Sequence, residues 1–155
     1  MSFDDEGLVS GVLVTELKKI EHPQGDILHA MKSSSTGFHG FGEAYFSTIH
    51  RAEIKGWKKH SRMTLNLIVP IGEVQFVIYD DREMSQTKGK LFVVLLSRDN
   101  YKRLTVPPGL WVAFQGKSDG ANVILNVADI EHDPREAINA PLSAIDFNWS
   151  VDVKN

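Results

Sequence analysis

The 155-residue chain contains no cysteine, which excludes disulfides, thiolate nucleophiles and Cys-ligated zinc. It has no surplus of positive charge. Seventeen Lys and Arg stand against 20 Asp and Glu, for a formal net charge of −3, so the basic footprint of a nucleic-acid binder is missing. No apolar run approaches a membrane span, and the acidic start MSFDDEGLV lacks the basic-then-apolar order of a signal segment. The expectation is a cytoplasmic protein with neither a membrane nor a nucleic-acid partner. There is no Gly-rich phosphate loop ahead of a helix, no Gly-x-Ser-x-Gly elbow and no paired acidic motif on a helix. Six histidines are present, at 22, 29, 39, 50, 60 and 132. No two share the close spacing of a metal pair, so no metal is expected.

What is present is a chain of ordinary globular composition, 42% hydrophobic and 24% charged, long enough to bury one core as a single domain over residues 1–155. Short β-branched and aromatic runs alternate with turn residues. The candidate strands are Val9–Leu17, Ile27–Met31, Gly42–Ile49, Glu53–Lys58, Met63–Val69, Glu73–Asp80, Lys90–Leu96, Lys102–Val106, Leu110–Gln115 and Asn122–Val127. Turns fall at HPQGD (His22–Asp26), SSSTG (Ser33–Gly37), PIG (Pro70–Gly72), PPG (Pro107–Gly109) and GKSDG (Gly116–Gly120). Only Pro134–Ala140 and Pro141–Ile145 suggest short helical turns. This pattern predicts an all-β, double-sheet jelly roll, whose mouth is a natural ligand cavity.

Within it, residues 53–69 (EIKGWKKHSRMTLNLIV) carry Lys58, His60 and Arg62 at every second position. Strand alternation sends these three side chains to one face, as in the wall of an anion-binding cavity. Lys and Arg alternation more often marks a solvated face, and the other face, with Trp57, Lys59 and Ser61, is equally mixed at its start. Asn126, between Leu125 and Val127, is a polar group in an apolar strand and needs a hydrogen-bond partner or a wet cavity. Asp80-Asp81-Arg82 at a strand end reads as a solvated turn.

Several stretches resemble a known family. They are YFSTIHRAEIKGWKKH (Tyr45–His60), GEVQFVIYDDR (Gly72–Arg82), Ser85–Gly89 with Leu96–Asn100, VPPGLWVAF (Val106–Phe114) and Asn126–Pro134. In order and spacing, from about Gly25 to Pro134, they resemble the nucleotide-sugar epimerases of the RmlC-like cupins, whose type member is dTDP-4-dehydrorhamnose 3,5-epimerase. Their family counterparts are an Arg-Gly-Leu-His strand, a Gly-Glu-Val strand ending in Asp-x-Arg, a Ser-Pro-Thr-x-Gly turn with Leu-Ser-x-x-Asn, Ile-Pro-x-Gly-x-x-His-Gly-Phe and a Tyr-x-Pro tail. Aligning Lys55-Gly56-Trp57 on Arg-Gly-Leu puts Lys58 where the family has its histidine base. The family's tyrosine acid falls at Asn126, its second histidine at Val112, an arginine at Leu28, and a strand aspartate at Gln75 or Phe76.

The resemblance implies an epimerase or isomerase acting on a dTDP-linked 4-keto-6-deoxyhexose, without a cofactor, in surface-polysaccharide synthesis. It implies Lys58 or His60 as the base, Asn126 as an orienter of a sugar hydroxyl, and Lys55, Arg62 and Trp111 as substrate contacts. A lysine can act as a base where burial or a neighbouring cation lowers its pKa. Asparagine is no proton donor, so exchange at one carbon is expected rather than two-face epimerisation. The alternatives are a non-catalytic cupin that binds a nucleotide sugar or another anionic sugar, and a structural jelly-roll partner. The resemblance also implies a homodimer, with Val9–Leu17 adding itself to the partner's sheet.

Overall fold

A computed structural model describes residues 7–150. The strands are β1 (Leu13–Glu16), β2 (Lys19–Ile20), β3 (Ile27–Leu28), β4 (Glu43–Thr48), β5 (Ile54–His60), β6 (Leu65–Ile71) and β7 (Glu73–Tyr79). They continue with β8 (Leu91–Ser97), β9 (Lys102–Val106), β10 (Trp111–Gly116), β11 (Val123–Ala128) and β12 (Ala137–Asn139). Two five-stranded antiparallel sheets are ordered β1-β9-β6-β11-β4 and β12-β5-β10-β7-β8, and β2 with β3 forms a separate small ribbon between β1 and β4 in the chain. This is the expected jelly roll. No helix among the described residues is long and apolar enough to cross a membrane.

The core forms where the inward residues of both sheets meet. Leu65, Leu67 and Val69 alternate along β6, with Leu104, Val106 and Ile124 beside them. Val74, Phe76 and Ile78 of β7 answer from the other sheet, with Val94, Leu96 and Val112. The outer face of this second sheet is also covered. Trp57, Val77 and Ala113 pack under Ile145, Phe147 and Trp149 of the tail, and the Trp57 and Trp149 rings lie 6.0 Å apart. Burial on both faces explains why β7 reads as a nearly continuous apolar run rather than an alternating one.

Three expectations change. Pro134–Ala140 holds no helical turn: Ala137–Asn139 is β12, paired antiparallel with His60, Lys59 and Lys58 of β5. The edge of β5 needs hydrogen-bond partners, and that need overrides the turn-like local composition. Within Val9–Leu17 only Leu13–Glu16 pairs, with β9 of the same chain, because Ser10 and Gly11 form a turn closed by Val12 N–H to Val9 O at 3.0 Å. Within Ile27–Met31 only Ile27 and Leu28 pair. In Pro141–Ile145 the expected turn is present as a 3₁₀ helix, Leu142–Ala144.

The feature that shapes the site is a bulge. Val112 of β10 faces Lys58 while Phe114 faces Lys55, so Ala113 alone on β10 stands opposite two residues of β5, Gly56 and Trp57. The bulge includes Gly56, where φ is +148° and an added Cβ would lie 2.3 Å from that of Ala113. Only glycine lets the two backbones approach this closely.

Candidate active site

Between the two sheets lies a cavity of about 330 Å³. One wall is β5 and β10, which contribute Lys55, Lys58, His60, Val112 and Phe114. The facing wall comes from β4, β6 and β11 with Tyr45, Leu65, Leu67 and Asn126. Strand alternation brings Lys58 and His60 in together. Lys55 joins them because the bulge adds one residue between it and Lys58, which reverses the side on which it would otherwise emerge.

His60 is 8% exposed and Glu136 is 4% exposed; the Nδ1 of His60 makes a short contact with Oε1 of Glu136. The other carboxylate oxygen accepts the backbone N–H groups of Arg62 (3.1 Å) and Met63 (3.2 Å). Glu136 therefore holds the imidazole and braces the bend that ends β5. Burial pushes its carboxyl pKa up, but the bonds from His60, Arg62 and Met63 outweigh burial and hold the pKa below its ordinary value. With Nδ1 committed to the carboxylate, Nε2 is the ring nitrogen left to exchange a proton with a ligand.

A carboxyl with a lowered folded-state pKa contributes stability above its unfolded value, here about 4.5, and loses it as pH falls below that value. Glu136→Gln should be less stable than the wild type by about 1.5–3 kcal/mol at pH 7. The gap should narrow as pH drops through 4.5. Urea unfolding at pH 7 and at pH 4 measures both.

On the facing wall the Asn126 side chain is buried and held at both ends. Its Oδ1 accepts the backbone N–H of Asn66 at 3.1 Å, and its Nδ2 donates to the Tyr45 hydroxyl at 3.1 Å. Asn66 is itself fixed by Gly37 and Thr105. Tyr45 and Asn126 are direct partners across β4 and β11.

Two expected contacts lie elsewhere. β5 ends at His60, so alternation does not carry Arg62 into the cavity. Its side chain is 59% exposed and pairs with Asp133 at 3.2 Å. Trp111 is one residue out of phase with the inward-facing Val112, so its indole lies on the outer face. There it donates to Asp81 at 2.9 Å and stacks under the Lys59 ammonium. Conversely, sequence reasoning gave no role to Tyr45 or Glu136. The tyrosine opens the first family-like stretch, but nothing in the sequence around Glu136 marks it.

A family model described as dTDP-4-dehydrorhamnose 3,5-epimerase matches residues 8–155. The chain is 38% identical to a dTDP sugar isomerase from Desulfovibrio desulfuricans G20 of known crystal structure, with a TM-score of 0.89 and 94% of each chain covered. It is 24% identical over 151 residues to the spore coat polysaccharide biosynthesis protein SpsL of Bacillus subtilis strain 168, covering 95% of this chain and 100% of that protein. It is also 24% identical over 115 residues to Agl13 of Haloferax volcanii, named a probable low-salt glycan biosynthesis epimerase, covering 71% of this chain and 74% of that one.

Proposed function

The chain belongs to the dTDP-4-dehydrorhamnose 3,5-epimerase family, and from that premise we propose that its cavity binds a dTDP-linked 4-keto-6-deoxyhexose and removes a proton beside the keto group. It is a sugar epimerase or isomerase of polysaccharide biosynthesis. The finer reading rests above all on the buried His60–Glu136 pair, which reaches the cavity beside Lys58.

Abstraction next to a carbonyl needs a base within reach of the carbon and a positive group near the oxygen that takes up the charge. His60 Nε2 is the base, and Glu136 stabilises the imidazolium that forms. The electron pair of the broken C–H bond passes to the 4-keto oxygen, where the Lys58 ammonium stabilises it. Lys55, exposed at the rim and bonded to the Thr48 carbonyl at 2.6 Å, supplies charge for the pyrophosphate. Arg62 and Trp111 have no part in this reading.

The test is incubation with dTDP-4-keto-6-deoxyglucose in D₂O followed by NMR. Deuterium should enter next to the carbonyl at a rate proportional to enzyme concentration. Absence of exchange while dTDP still binds would leave a binding protein instead.

A cytoplasmic homodimer belongs to the same reading. The apolar side chains of Phe41, Phe46 and Ile71 are exposed on or beside the first sheet, and covering them favours association. Light scattering should give about twice the 17.3 kDa chain mass, and a monomer at micromolar concentration would refute the dimer.

A further inference from the structure

We propose that Tyr45 is the proton donor on the wall opposite His60, so that the enzyme inverts a sugar carbon rather than merely exchanging its proton. This rests on the reading of His60 as the base. Inversion beside a carbonyl requires the proton to leave from one face of the planar enolate and another to arrive on the opposite face. Two proton-transfer groups must therefore stand on opposite sides of the sugar. His60 lies on β5 in one sheet; Tyr45 lies on β4 in the other, and both line the same cavity.

The hydrogen bonds around Tyr45 fit a donor. The backbone N–H of Asn66 can only donate, so the Asn126 amide must turn its oxygen toward it and its NH₂ toward the phenol. An NH₂ group offers no acceptor. The phenol's own proton is thus unspent in that contact, and the Asn126 N–H stabilises the phenolate left once the proton has gone. In the step itself, the phenolic O–H bond breaks and the enolate electron pair forms a C–H bond, which restores the 4-keto carbonyl. Tyr45 is 43% exposed, so the phenolate regains its proton from water, and the His60 imidazolium releases the first proton the same way. Asn126 acts through Tyr45 as a positioning residue. This revises the expectation that an asparagine at 126 leaves only one-sided chemistry.

Tyr45→Phe keeps the ring but removes both the phenolic proton and the oxygen that accepts from Asn126, so its melting temperature should fall modestly while the fold is kept. With dTDP-4-keto-6-deoxyglucose in D₂O, the variant should form epimer about 10²–10⁴-fold more slowly, while deuterium still enters at the same carbon with retained configuration. Epimer formation at the wild-type rate would overturn the role of Tyr45 alone. Equal loss of exchange and of epimer would overturn it too, because Tyr45 would then serve the first proton transfer. A wild-type enzyme that exchanges nothing would remove both this inference and the assignment of His60.

Discussion

His60→Asn should slow deuterium exchange beside the sugar carbonyl by about 10²–10⁴-fold, with dTDP affinity little changed. Asparagine is close to the imidazole in size and can still hydrogen-bond Glu136, so the buried carboxylate keeps a partner and the bend after β5 stays braced. What is lost is the ring nitrogen that receives the proton from the sugar carbon. Lys58→Ala separates the two candidates on this strand. If Lys58 stabilises the enolate oxygen, its removal lowers the rate but leaves measurable exchange. If Lys58→Ala abolishes exchange while His60→Asn does not, the lysine is the base.

The largest effect on stability is expected at Asp80, just after β7. Its carboxylate is fully buried and accepts bonds from Arg82 Nε (2.9 Å), Arg82 Nη2 (3.0 Å), the Arg82 backbone N–H (3.0 Å) and the hydroxyls of Ser85 and Thr87. Burial opposes ionisation here, yet these donors outweigh it and hold the carboxyl far below the usual carboxylate range. The cluster also ties down the N-terminal segment, because Arg82 donates to Ser10 O at 2.6 Å and Ser10 N–H donates to the Thr87 hydroxyl at 2.9 Å. Asp80→Ala strands a guanidinium and two hydroxyls, a loss of about 3–5 kcal/mol. Asp80→Asn should fall between, since an amide oxygen cannot accept all of these bonds. The depressed pKa makes this contribution complete above the ordinary value of 3.8 and lost as pH falls below it. An unfolding free energy, from denaturant titration, that falls by less than about 1 kcal/mol for the alanine variant would show that the turn is held by something else.

Asp80 also illustrates where local reading falls short. Asp80-Asp81-Arg82 looks like a solvated turn, because nothing within the tripeptide reports that the Ser85–Thr87 turn and the N-terminal segment close over Asp80.

Backbone period and residue type suffice for part of this architecture. The short β-branched runs specify strands and the turn residues separate them. The alternation of Lys58 and His60 puts both on one face of β5, and the run of family-like motifs carries the fold and the reaction class. The tertiary structure sets what depends on segments far apart in sequence becoming neighbours in a sheet. His60 and Glu136 are 76 residues apart in sequence, and Tyr45 and Asn126 are 81 apart; they meet only because β12 pairs with β5 and β4 with β11. Lys55 enters the cavity through a bulge visible only against β10, Arg62 leaves because the strand stops at His60, and Trp111 turns outward because it is one residue out of phase with Val112. Side-chain direction within a strand follows from two-residue periodicity. Which strand faces it, and in which register, is set by how the whole apolar surface is buried, and no short window of sequence contains that information.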